Sequence, residues 1–473
     1  MSPLWWAGQD GCRVGGEAGI MSLVLDGGTV HAGSWDEKDA SPGGDGMPFR
    51  TDEEFALHMD RETDPGLLRD RFYIPPDTIY MDGNSLGLLS RDAEDELMKG
   101  LRTWKELGIR GWMEAEPPWF HLGEELGRRQ AGLMGAEEGE VVSASSTTVN
   151  LHTLVSTFYH PRGGRRRILA DGLNFPSDLY ALQSQLRLRD MDPRADLVLV
   201  QARDGKFLEE DDIIDAMSSD IQLALFPSVL YRSGQLLDIE RLTREAHDRG
   251  IVIGFDCSHS AGAVQHRLSE WGVDFAFWCT YKYLNSGPGG IASLYVNRRH
   301  FGSHPGLAGW WGYDKGEQFD MNTQFKPAGS AGGWQIGTVS VLSAVPLLGS
   351  LRLFAEAGMD HVRARSLKLT SYMIHLVDRL LSGTPCHCTV GTPRPPERRG
   401  GHVAVEHPEA SRIVKSLKTR GVVPDFRPPD VIRLAPVALY NTYHEVWSTI
   451  QHVRQIIVSG EYESHDSQRE PVS

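Results

Sequence analysis

Short apolar runs alternate with amphipathic stretches through the middle of the chain, from about residue 140 to residue 300. The runs short enough to be buried strands are EVVSAS, RRILAD, DLVLVQ, LALFPS, IVIGFD, VDFAFW and GIASLYV. Segments between them have the apolar spacing of helices, namely NLHTLVSTFYH, PSDLYALQSQLRL, DIIDAMSSD and DIERLTREAHDRG. This alternation predicts an α/β domain in which a mostly parallel sheet is covered by helices on both faces.

Helical patterns also flank this region. RDAEDELMKGLRTWKEL and HLGEELGRRQAGLMG precede it, and VLSAVPLLGSLRLFAEAG and HVRARSLKLTSYMIHLVDRLL follow residue 340. The short runs HVAVEH, VVPDFR and VIRLAPV, with a final helix near 442–458, predict a second, smaller α+β domain. We therefore expect a disordered or weakly ordered leader (1–50), an N-terminal segment that joins the small domain (51–110), a large domain (111–340) and a C-terminal small domain (341–473).

Composition and charge narrow the possible functions. The chain has 473 residues, of which 40% are hydrophobic and 23% charged, as is usual for a globular protein. The net charge of −15, from 48 basic and 63 acidic residues, argues against nucleic-acid binding. The one dense basic run, RGGRRR at 162–167, is interpreted as a solvated loop before a strand. No partner among nucleic acids is expected.

The sequence also bears on compartment and metals. It contains no stretch of 18 apolar residues and no charged segment followed by an apolar core near its start, so neither a membrane partner nor a signal peptide is expected. The 5 cysteines are few and odd in number, which fits a reducing cytoplasm better than a disulfide framework. The Cys-His-Cys cluster at 386–388 is too small to predict a metal site.

Polar groups of unusual type stand at the ends of three predicted strands. Asp256 ends IVIGFD, and Lys282 comes shortly after VDFAFW. Hydroxyls at 143–148 follow EVVSAS and lead into a helix expected to begin near Asn150. Ligands bind beyond the carboxyl ends of the strands in such sheets, and a buried carboxylate there needs a partner. A helix N-terminus with free N–H groups and hydroxyls suits a phosphate.

An amine, a carboxylate and an anion cradle are together what pyridoxal 5′-phosphate (PLP) requires. The amine of Lys282 can form a Schiff base, and the carboxylate of Asp256 can keep the pyridine nitrogen protonated. Each residue alone has a simpler interpretation, since a strand-end Asp is often a cap and a loop Lys is often a surface residue. Their order along one α/β segment favours the cofactor site.

The chain resembles the kynureninase family in several stretches. The matching stretches are YMDGNSLGL (80–88), SSTTVNLH (145–152), FPSD (175–178), FDCSHSAG (255–262), WGVDFAFWCTYKYLNSGPGG (271–290), LAGWWG (307–312) and IRLAPVALYN (432–441). The resemblance covers most of the chain after residue 70. It implies a PLP enzyme of fold type I, class V, which is the aspartate-aminotransferase fold. Such a protein has a large, mostly parallel seven-stranded sheet domain, a smaller C-terminal α+β domain and a homodimer with shared active sites.

The resemblance implies roles for individual residues. Lys282 would hold PLP as a Schiff base, Asp256 would pair with the pyridine nitrogen, and Tyr281 would bind phosphate and act as an acid and base. The other cofactor contacts that it implies are Thr147 and Thr148 at the phosphate, Phe175 on the ring face, Asp178 and His259 near the ring, and Trp310 and Thr338 across a dimer interface. On the substrate side it implies Arg433 for the α-carboxylate, with Asn84, Ser85 and Trp112 nearby.

The implied activity is hydrolysis of L-kynurenine, or of 3-hydroxy-L-kynurenine, to anthranilate or 3-hydroxyanthranilate and L-alanine. This reaction would serve tryptophan catabolism and NAD biosynthesis in the cytoplasm. Another class V PLP enzyme, such as a cysteine desulfurase, stays open as an alternative. It needs a mobile cysteine about 100 residues or more after the lysine, where Cys386 and Cys388 lie. A cofactor-binding fold without catalysis is a further alternative, against which the intact Lys282, Asp256 and Arg433 argue.

Overall fold

The computed structural model describes residues 48–63 and 66–468. The leader predicted for residues 1–50 lies almost entirely outside the described residues, as does Cys12. The thirteen strands of the described part are β1 (Ile79–Tyr80), β2 (Val141–Ser143), β3 (Arg167–Asp171), β4 (Leu197–Val200), β5 (Ile221–Pro227), β6 (Val252–Asp256), β7 (Phe275–Trp278), β8 (Ser293–Val296), β9 (Thr389–Val390), β10 (Val403–Glu406), β11 (Val422–Val423), β12 (Asp425–Arg427) and β13 (Val431–Leu434).

Helices occupy the segments between these strands and most of the C-terminal part. Those of the described part are α1 (Glu53–Glu62), α2 (Arg91–Leu107), α3 (Gly111–Glu114), α4 (Leu122–Met134), α5 (Thr147–Phe158), α6 (Pro176–Arg187), α7 (Pro193–Asp196), α8 (Glu210–Asp215), α9 (Ile239–Asp248), α10 (Val341–Ala357), α11 (Met359–Leu380), α12 (Ala410–Thr419) and α13 (Tyr443–Ser459). The predicted alternation of strands and helices is therefore present between 140 and 300.

All seven predicted strands join one sheet in the order β2-β8-β7-β6-β5-β3-β4. The five strands β4, β3, β5, β6 and β7 run parallel, whereas β8 is antiparallel to both β7 and β2. Hydrophobic clusters cover both faces, which is why these strands are continuous apolar runs. The mostly parallel seven-stranded sheet is confirmed. Its parallel strands β5, β6 and β7 end side by side, so the residues that follow them are brought together.

The C-terminal part contains the predicted smaller α+β arrangement. An antiparallel sheet in the order β12-β13-β10-β9 packs with α11, α12 and α13, and β1 pairs in parallel with β11. Leu347 and Leu351 of α10 lie in the core cluster of the large sheet, whereas Leu369 of α11 lies in the cluster of the small one. The domain boundaries given above stay predictions.

One helix begins earlier than the sequence pattern indicates. We expected it near Asn150, but α5 begins at Thr147. Ser146 has the extended backbone of an N-cap, with φ −119° and ψ 164°, so the first helical turn already contains Thr147 and Thr148. The two threonines therefore belong to the helix terminus itself and not to a loop before it.

No single helix in residues 48–63 and 66–468 is both long and apolar enough to cross a membrane. Only α10 and α11 taken as a pair, bent by 82°, meet such a length and composition test. The same residues contain no group of three or more His, Cys, Asp or Glu side chains that could hold a metal ion.

Close packing of α4 on β2 leaves no room for a side chain at one glycine of the helix. A Cβ at Gly127 would lie 2.0 Å from the carbonyl oxygen of Val141, whereas a Cβ at Gly132 of the same helix meets nothing within 4 Å. We expect Gly127→Ala to lower the stability by about 1–3 kcal/mol because the helix must move away from the strand. Gly132→Ala, the matched control, should leave stability unchanged or raise it. Thermal unfolding of both variants checks this, and equal midpoints would contradict the packing.

Candidate active site

Asp256 is held in place at the end of β6 by its neighbours on the sheet. Its Oδ1 accepts a hydrogen bond from the backbone N–H of Ser258 at 2.8 Å. Its backbone carbonyl accepts from the N–H and the hydroxyl of Ser228, at 2.8 Å and 3.0 Å, in the loop after β5. These bonds fix the buried carboxylate at the carboxyl edge of the sheet, where a ligand of a parallel sheet binds.

A second buried carboxyl, that of Asp178, faces Asp256 from the first turn of α6. Asp178 lies within hydrogen-bonding reach of Asp256, and its Oδ2 has no partner in the described part of the chain. Burial and the neighbouring charge of Asp256 raise the pKa of Asp178 well above its usual value. The raised pKa of Asp178 favours its protonated form beside the carboxyl of Asp256.

Lys282 reaches the same edge from the loop after β7. Its Nζ lies 2.9 Å from Nε2 of His259, which follows the end of β6. The same Nζ stands 6.0 Å from the ring centroid of Phe175, the residue immediately before α6. Three elements thus bring together an amine, an imidazole and an aromatic face.

The segment GNSLGL packs against the backbone that carries Lys282. The N–H of Gly87 donates to the carbonyl of Tyr281 at 2.8 Å. A Cβ at Gly87 would lie 2.3 Å from the carbonyl oxygen of Lys282 and 2.2 Å from Oδ1 of Asn285. Only glycine permits this approach, so the conspicuous glycine of that motif serves to position the lysine.

The N-terminus of α5 has the properties of an anion site. Ser146, at the N-cap, makes no capping bond with its side chain, and the first turn contains no acidic residue. The hydroxyl of Thr148 bonds to that of Ser177 at the start of α6, at 2.8 Å, so two helix starts are tied together. Free N–H groups with hydroxyls around them suit a phosphate.

Tyr281 is half-buried between this edge and Cys279. The neighbouring Cys279 and burial raise the pKa of the Tyr281 phenol, so it keeps its proton across the physiological range. A protonated phenol next to Lys282 can donate a hydrogen bond to a phosphate or pass a proton to a reacting group.

Arg433 lies on β13 of the small domain and is only 1% exposed. Its Nη1 donates to the carbonyl of Tyr231 at 2.8 Å, and its Nη2 donates to the hydroxyl of Ser85 at 2.7 Å. With the Asn84 amide oriented to satisfy its neighbours, the Asn84 oxygen accepts from Nε at 2.9 Å. Asp425 forms an ion pair with the same guanidinium. A ligand carboxylate would therefore bind by replacing one of these contacts.

Three predicted site residues stand apart from this group in the single chain. Trp310 is 43% exposed and contacts Phe319 edge to face, with ring centroids 5.8 Å apart. Thr338 and Trp112 line a cavity of about 500 Å³ together with Trp104 and other apolar residues. The rings of Trp112 and Trp311 lie 5.3 Å apart. The structure brings together the other predicted site residues but not these three.

Several site residues were missed by the sequence reasoning. His402 is fully buried just before β10, and its ring centroid lies 5.9 Å from that of His259. Asp425 stands opposite Arg433 where β12 pairs with β13. The carbonyl of Tyr231 is a backbone group, which no side-chain pattern can indicate. A histidine directly before an apolar run was the one signal available for His402, and it is weak because buried histidines are common.

These residues fit PLP. Oδ2 of Asp178 and Nδ1 of His259 are buried polar atoms with no partner among the described residues, so the site is built for a polar ligand. The amine of Lys282 suits the aldehyde of PLP, and the carboxyl pair suits its pyridine nitrogen. The face of Phe175 suits the ring, and the start of α5 suits the phosphate.

Comparison with known proteins gives close relatives in sequence. A sequence profile described as the kynureninase C-terminal domain matches residues 362–453. The kynureninase of Geobacillus thermodenitrificans is 56% identical over 420 residues, which are 89% of this chain and 98% of that protein. The kynureninase of Bacillus mycoides is 54% identical over 426 residues, 90% of this chain and 99% of that protein.

Solved structures give similarity in fold at much lower identity. The cysteine desulfurase of Thermococcus onnurineus superposes with a TM-score of 0.67 and 19% identity, covering 83% of this chain and 98% of its own. The cystine C–S lyase C-DES, in complex with cysteine persulfide, gives a TM-score of 0.69 and 16% identity over 80% of this chain and 98% of its own. These matches confirm the expected fold class and carry no argument about the reaction.

Asp171, at the end of β3 beside this site, predicts a pH dependence of stability. Burial raises its pKa to about 7, above the ordinary value that the unfolded chain has. The folded state therefore binds more protons between about pH 4 and pH 7, and stability falls as pH rises through that window. Asp171→Asn keeps the acceptor for the N–H of Leu173 and should stabilise the protein at pH 8 by as much as about 4 kcal/mol.

Thermal unfolding of wild type and Asp171→Asn at pH 5 and pH 8 checks this expectation. The gain should shrink toward pH 5, because the wild-type carboxyl is then protonated in the folded state. Asp215→Asn, at an exposed position, is the control and should not change the pH dependence. An increase in stability on Asp171→Asn that is the same at both pH values would contradict a raised pKa of Asp171.

Proposed function

Since the chain belongs to the kynureninase family, we propose that it hydrolyses L-kynurenine, or 3-hydroxy-L-kynurenine, to anthranilate, or 3-hydroxyanthranilate, and L-alanine. The chain is a hydrolase of carbon–carbon bonds in ketonic substances and depends on PLP, as this family does. The proposal for the site rests on one observation. Lys282, His259 and the carboxyls of Asp256 and Asp178 come together near the ends of β6 and β7, and Arg433 faces them from the small domain.

The proposed cofactor contacts follow from the geometry. Lys282 attaches PLP through its Nζ, Phe175 covers one ring face, and Thr147 and Thr148 hold the phosphate at the start of α5. Asp256, which has the carboxyl of Asp178 beside it, binds the pyridine nitrogen. When bound, PLP draws electrons away from the α-carbon of an attached amino acid. The negative charge of the carboxyl pair supports this by holding a proton on the pyridine nitrogen.

Two residues move protons in the proposed reaction. Nζ of Lys282, which becomes a free amine when the amine of the substrate takes its place, removes the proton from the substrate α-carbon. The phenol of Tyr281 then donates and accepts protons while water adds to the side-chain ketone. The bond between the β-carbon and the ketone carbon breaks. Water supplies the hydroxyl of the new carboxyl group of anthranilate, and a proton completes the methyl group of alanine.

Arg433 is proposed to bind the α-carboxylate of the substrate. Its guanidinium can offer two parallel N–H donors to a carboxylate once the Ser85 hydroxyl turns aside. Asn84 orients the guanidinium through Nε, and Asp425 keeps it in place. In a protein of net charge −15, this buried cation supplies local attraction for an anionic group.

A homodimer with shared sites is part of the proposal. Trp310 and Thr338 are exposed in the single chain, which fits residues that complete the phosphate site of a partner. Trp112, at the apolar cavity with Thr338, would then flank the aromatic ring of the substrate. We also propose a cytoplasmic location and a place in tryptophan catabolism and NAD biosynthesis. The free cysteines of the described residues support a reducing compartment.

The cysteine desulfurase alternative is not supported by the cysteines themselves. Cys386 and Cys388 are buried in the core cluster of the small sheet. Burial raises the pKa of Cys388 to about 12 and also raises that of Cys386. A nucleophilic cysteine must be an accessible thiolate, and neither residue meets that requirement.

The test of the proposed function is a product assay with a lysine variant. Wild type should release anthranilate and alanine from L-kynurenine, and it should form no persulfide from cysteine. After dialysis, Lys282→Ala should lack the visible absorbance of covalently bound PLP that wild type keeps. Its activity should be lower by several orders of magnitude. Lys368→Ala, at an exposed position on α11, is the control and should keep both. Full activity in Lys282→Ala would refute the assignment.

Substitution of Arg433 tests the substrate site separately. Arg433→Lys keeps the positive charge beside Asp425 but loses the bidentate fork, so KM for L-kynurenine should rise about tenfold to a hundredfold. The PLP content should stay near that of wild type. Arg399→Lys removes another buried guanidinium, one that bonds to Thr370 and Ser371, and should leave KM unchanged. An unchanged KM in Arg433→Lys would remove this residue from the substrate site.

A further inference from the structure

A pair of buried imidazoles lies behind the amine of Lys282. His259 comes from the large domain, after β6, and His402 comes from the small domain, before β10. Their ring centroids lie 5.9 Å apart at an angle of 63°. Nε2 of His259 contacts Nζ of Lys282 at 2.9 Å, whereas Nδ1 of His259 and both ring nitrogens of His402 form no hydrogen bond in the described part of the chain. Buried polar atoms without partners are rare and call for an explanation.

Both imidazoles are neutral at physiological pH. Burial lowers the pKa of each ring well below the ordinary value, and the positive charges of Lys282, Arg433 and Arg427 lower it further. A neutral imidazole has one N–H donor and one acceptor nitrogen. The contacts of each ring therefore decide which nitrogen holds the hydrogen.

The contact with Lys282 selects the tautomer of His259. The amine of Lys282 has hydrogens to donate, and Nε2 of His259, 2.9 Å from Nζ, is the acceptor that suits it. The hydrogen of His259 is then on Nδ1, which faces away from Lys282 and needs an acceptor. His402 is the neighbouring imidazole, with its ring centroid 5.9 Å from that of His259.

The backbone of Tyr231 offers His402 an acceptor. The carbonyl of Tyr231 lies close enough to raise the pKa of His402, although it falls short of a formed hydrogen bond. An N–H of His402 directed at this carbonyl leaves the other ring nitrogen as an acceptor for Nδ1–H of His259. The same carbonyl accepts from Nη1 of Arg433 at 2.8 Å. Every donor in this series then faces an acceptor.

We propose that His402 is a positioning residue that fixes His259 in its Nδ1–H tautomer and so keeps the lone pair of Nε2 directed at Nζ of Lys282. The resulting series runs from Lys282 through His259 and His402 to the Tyr231 carbonyl and Arg433. It joins the proposed cofactor-attachment residue to the proposed substrate-binding residue across the two domains. The inference rests on the proposed role of Lys282 in the attachment of PLP.

Loss of His402 should act on Lys282 through His259. Without an acceptor for Nδ1–H, His259 is free to place its hydrogen on Nε2, where a donor would face the donor groups of Lys282. The amine is then held less well for reaction with an aldehyde. We expect His402→Leu to slow covalent attachment of PLP about tenfold, the effect of one lost hydrogen bond to a charged group.

The experiment measures the rate at which apoprotein gains visible absorbance after PLP is added. It compares wild type with His402→Leu, His402→Asn and His402→Gln, because an amide oxygen can replace one ring nitrogen as an acceptor. At least one amide should restore most of the rate. His407→Leu is the matched control, since His407 is also buried and lies beyond the other end of β10. It should attach PLP at the wild-type rate.

A second measurement reads the tautomer directly. In full-length apoprotein with isotope-labelled histidine, the NMR signals absent from His259→Asn identify His259. Wild type should show Nδ1–H, and His402→Leu should shift this residue toward Nε2–H. An Nε2–H tautomer in wild type, or a wild-type attachment rate in His402→Leu, overturns the inference. Should His402→Leu fail to fold, the wild-type tautomer still decides. Covalent PLP in Lys282→Ala would contradict the proposed function and not this inference.

Discussion

Burial of charge at the carboxyl edge of a parallel sheet is the constraint on which this site depends. Asp256 ends a strand that is apolar on both faces, and a carboxylate there is costly unless it has partners. The backbone of Ser258 supplies one, and the neighbouring carboxyl of Asp178, whose pKa is raised by burial, supplies another. The pair is available to a cationic group of a ligand. A ring nitrogen that must stay protonated is such a group.

The other polar groups near this edge come from the smaller, antiparallel sheet. Arg433 is buried on β13 with Asp425 beside it, and the loop containing Asn84 and Ser85 crosses to reach its guanidinium. The same loop packs against the backbone of Lys282, because Gly87 has no side chain to prevent the contact. One segment of chain thus sets the distance between the amine and the guanidinium.

The sequence predicts the large sheet well and the small one less well. Each strand of the large sheet is an apolar run covered on both faces, so its position is visible without knowledge of its neighbours. VVPDFR reads as a single strand, but the structure divides it at Pro424 into β11 and β12, which join different sheets. A proline has no N–H to continue a ladder. The opposition of Asp425 and Arg433 follows from that division and is not visible in the linear pattern.

The site residues also fall into two groups, one that the order of the elements brings together and one that long-range packing brings together. Lys282, Asp256 and Asp178 stand at strand ends or helix starts, where the chain order itself brings them together. His402 and the Tyr231 carbonyl depend on how distant parts of the chain pack together, and no local pattern marks them. Trp112, Trp310 and Thr338 stand apart from the other site residues in the single chain, so their roles stay predictions. Sequence reasoning succeeds where function follows the order of elements and fails where it follows their packing.

The central claim is that one amine carries the cofactor, and chemical trapping tests it most directly. Purified protein would be reduced with borohydride and digested, and the pyridoxyl-labelled peptide would be located by mass spectrometry. We expect a single label, on Lys282, in the peptide that contains WCTYKYLN. A label on another lysine, or no label on a protein that nevertheless hydrolyses L-kynurenine, would contradict it.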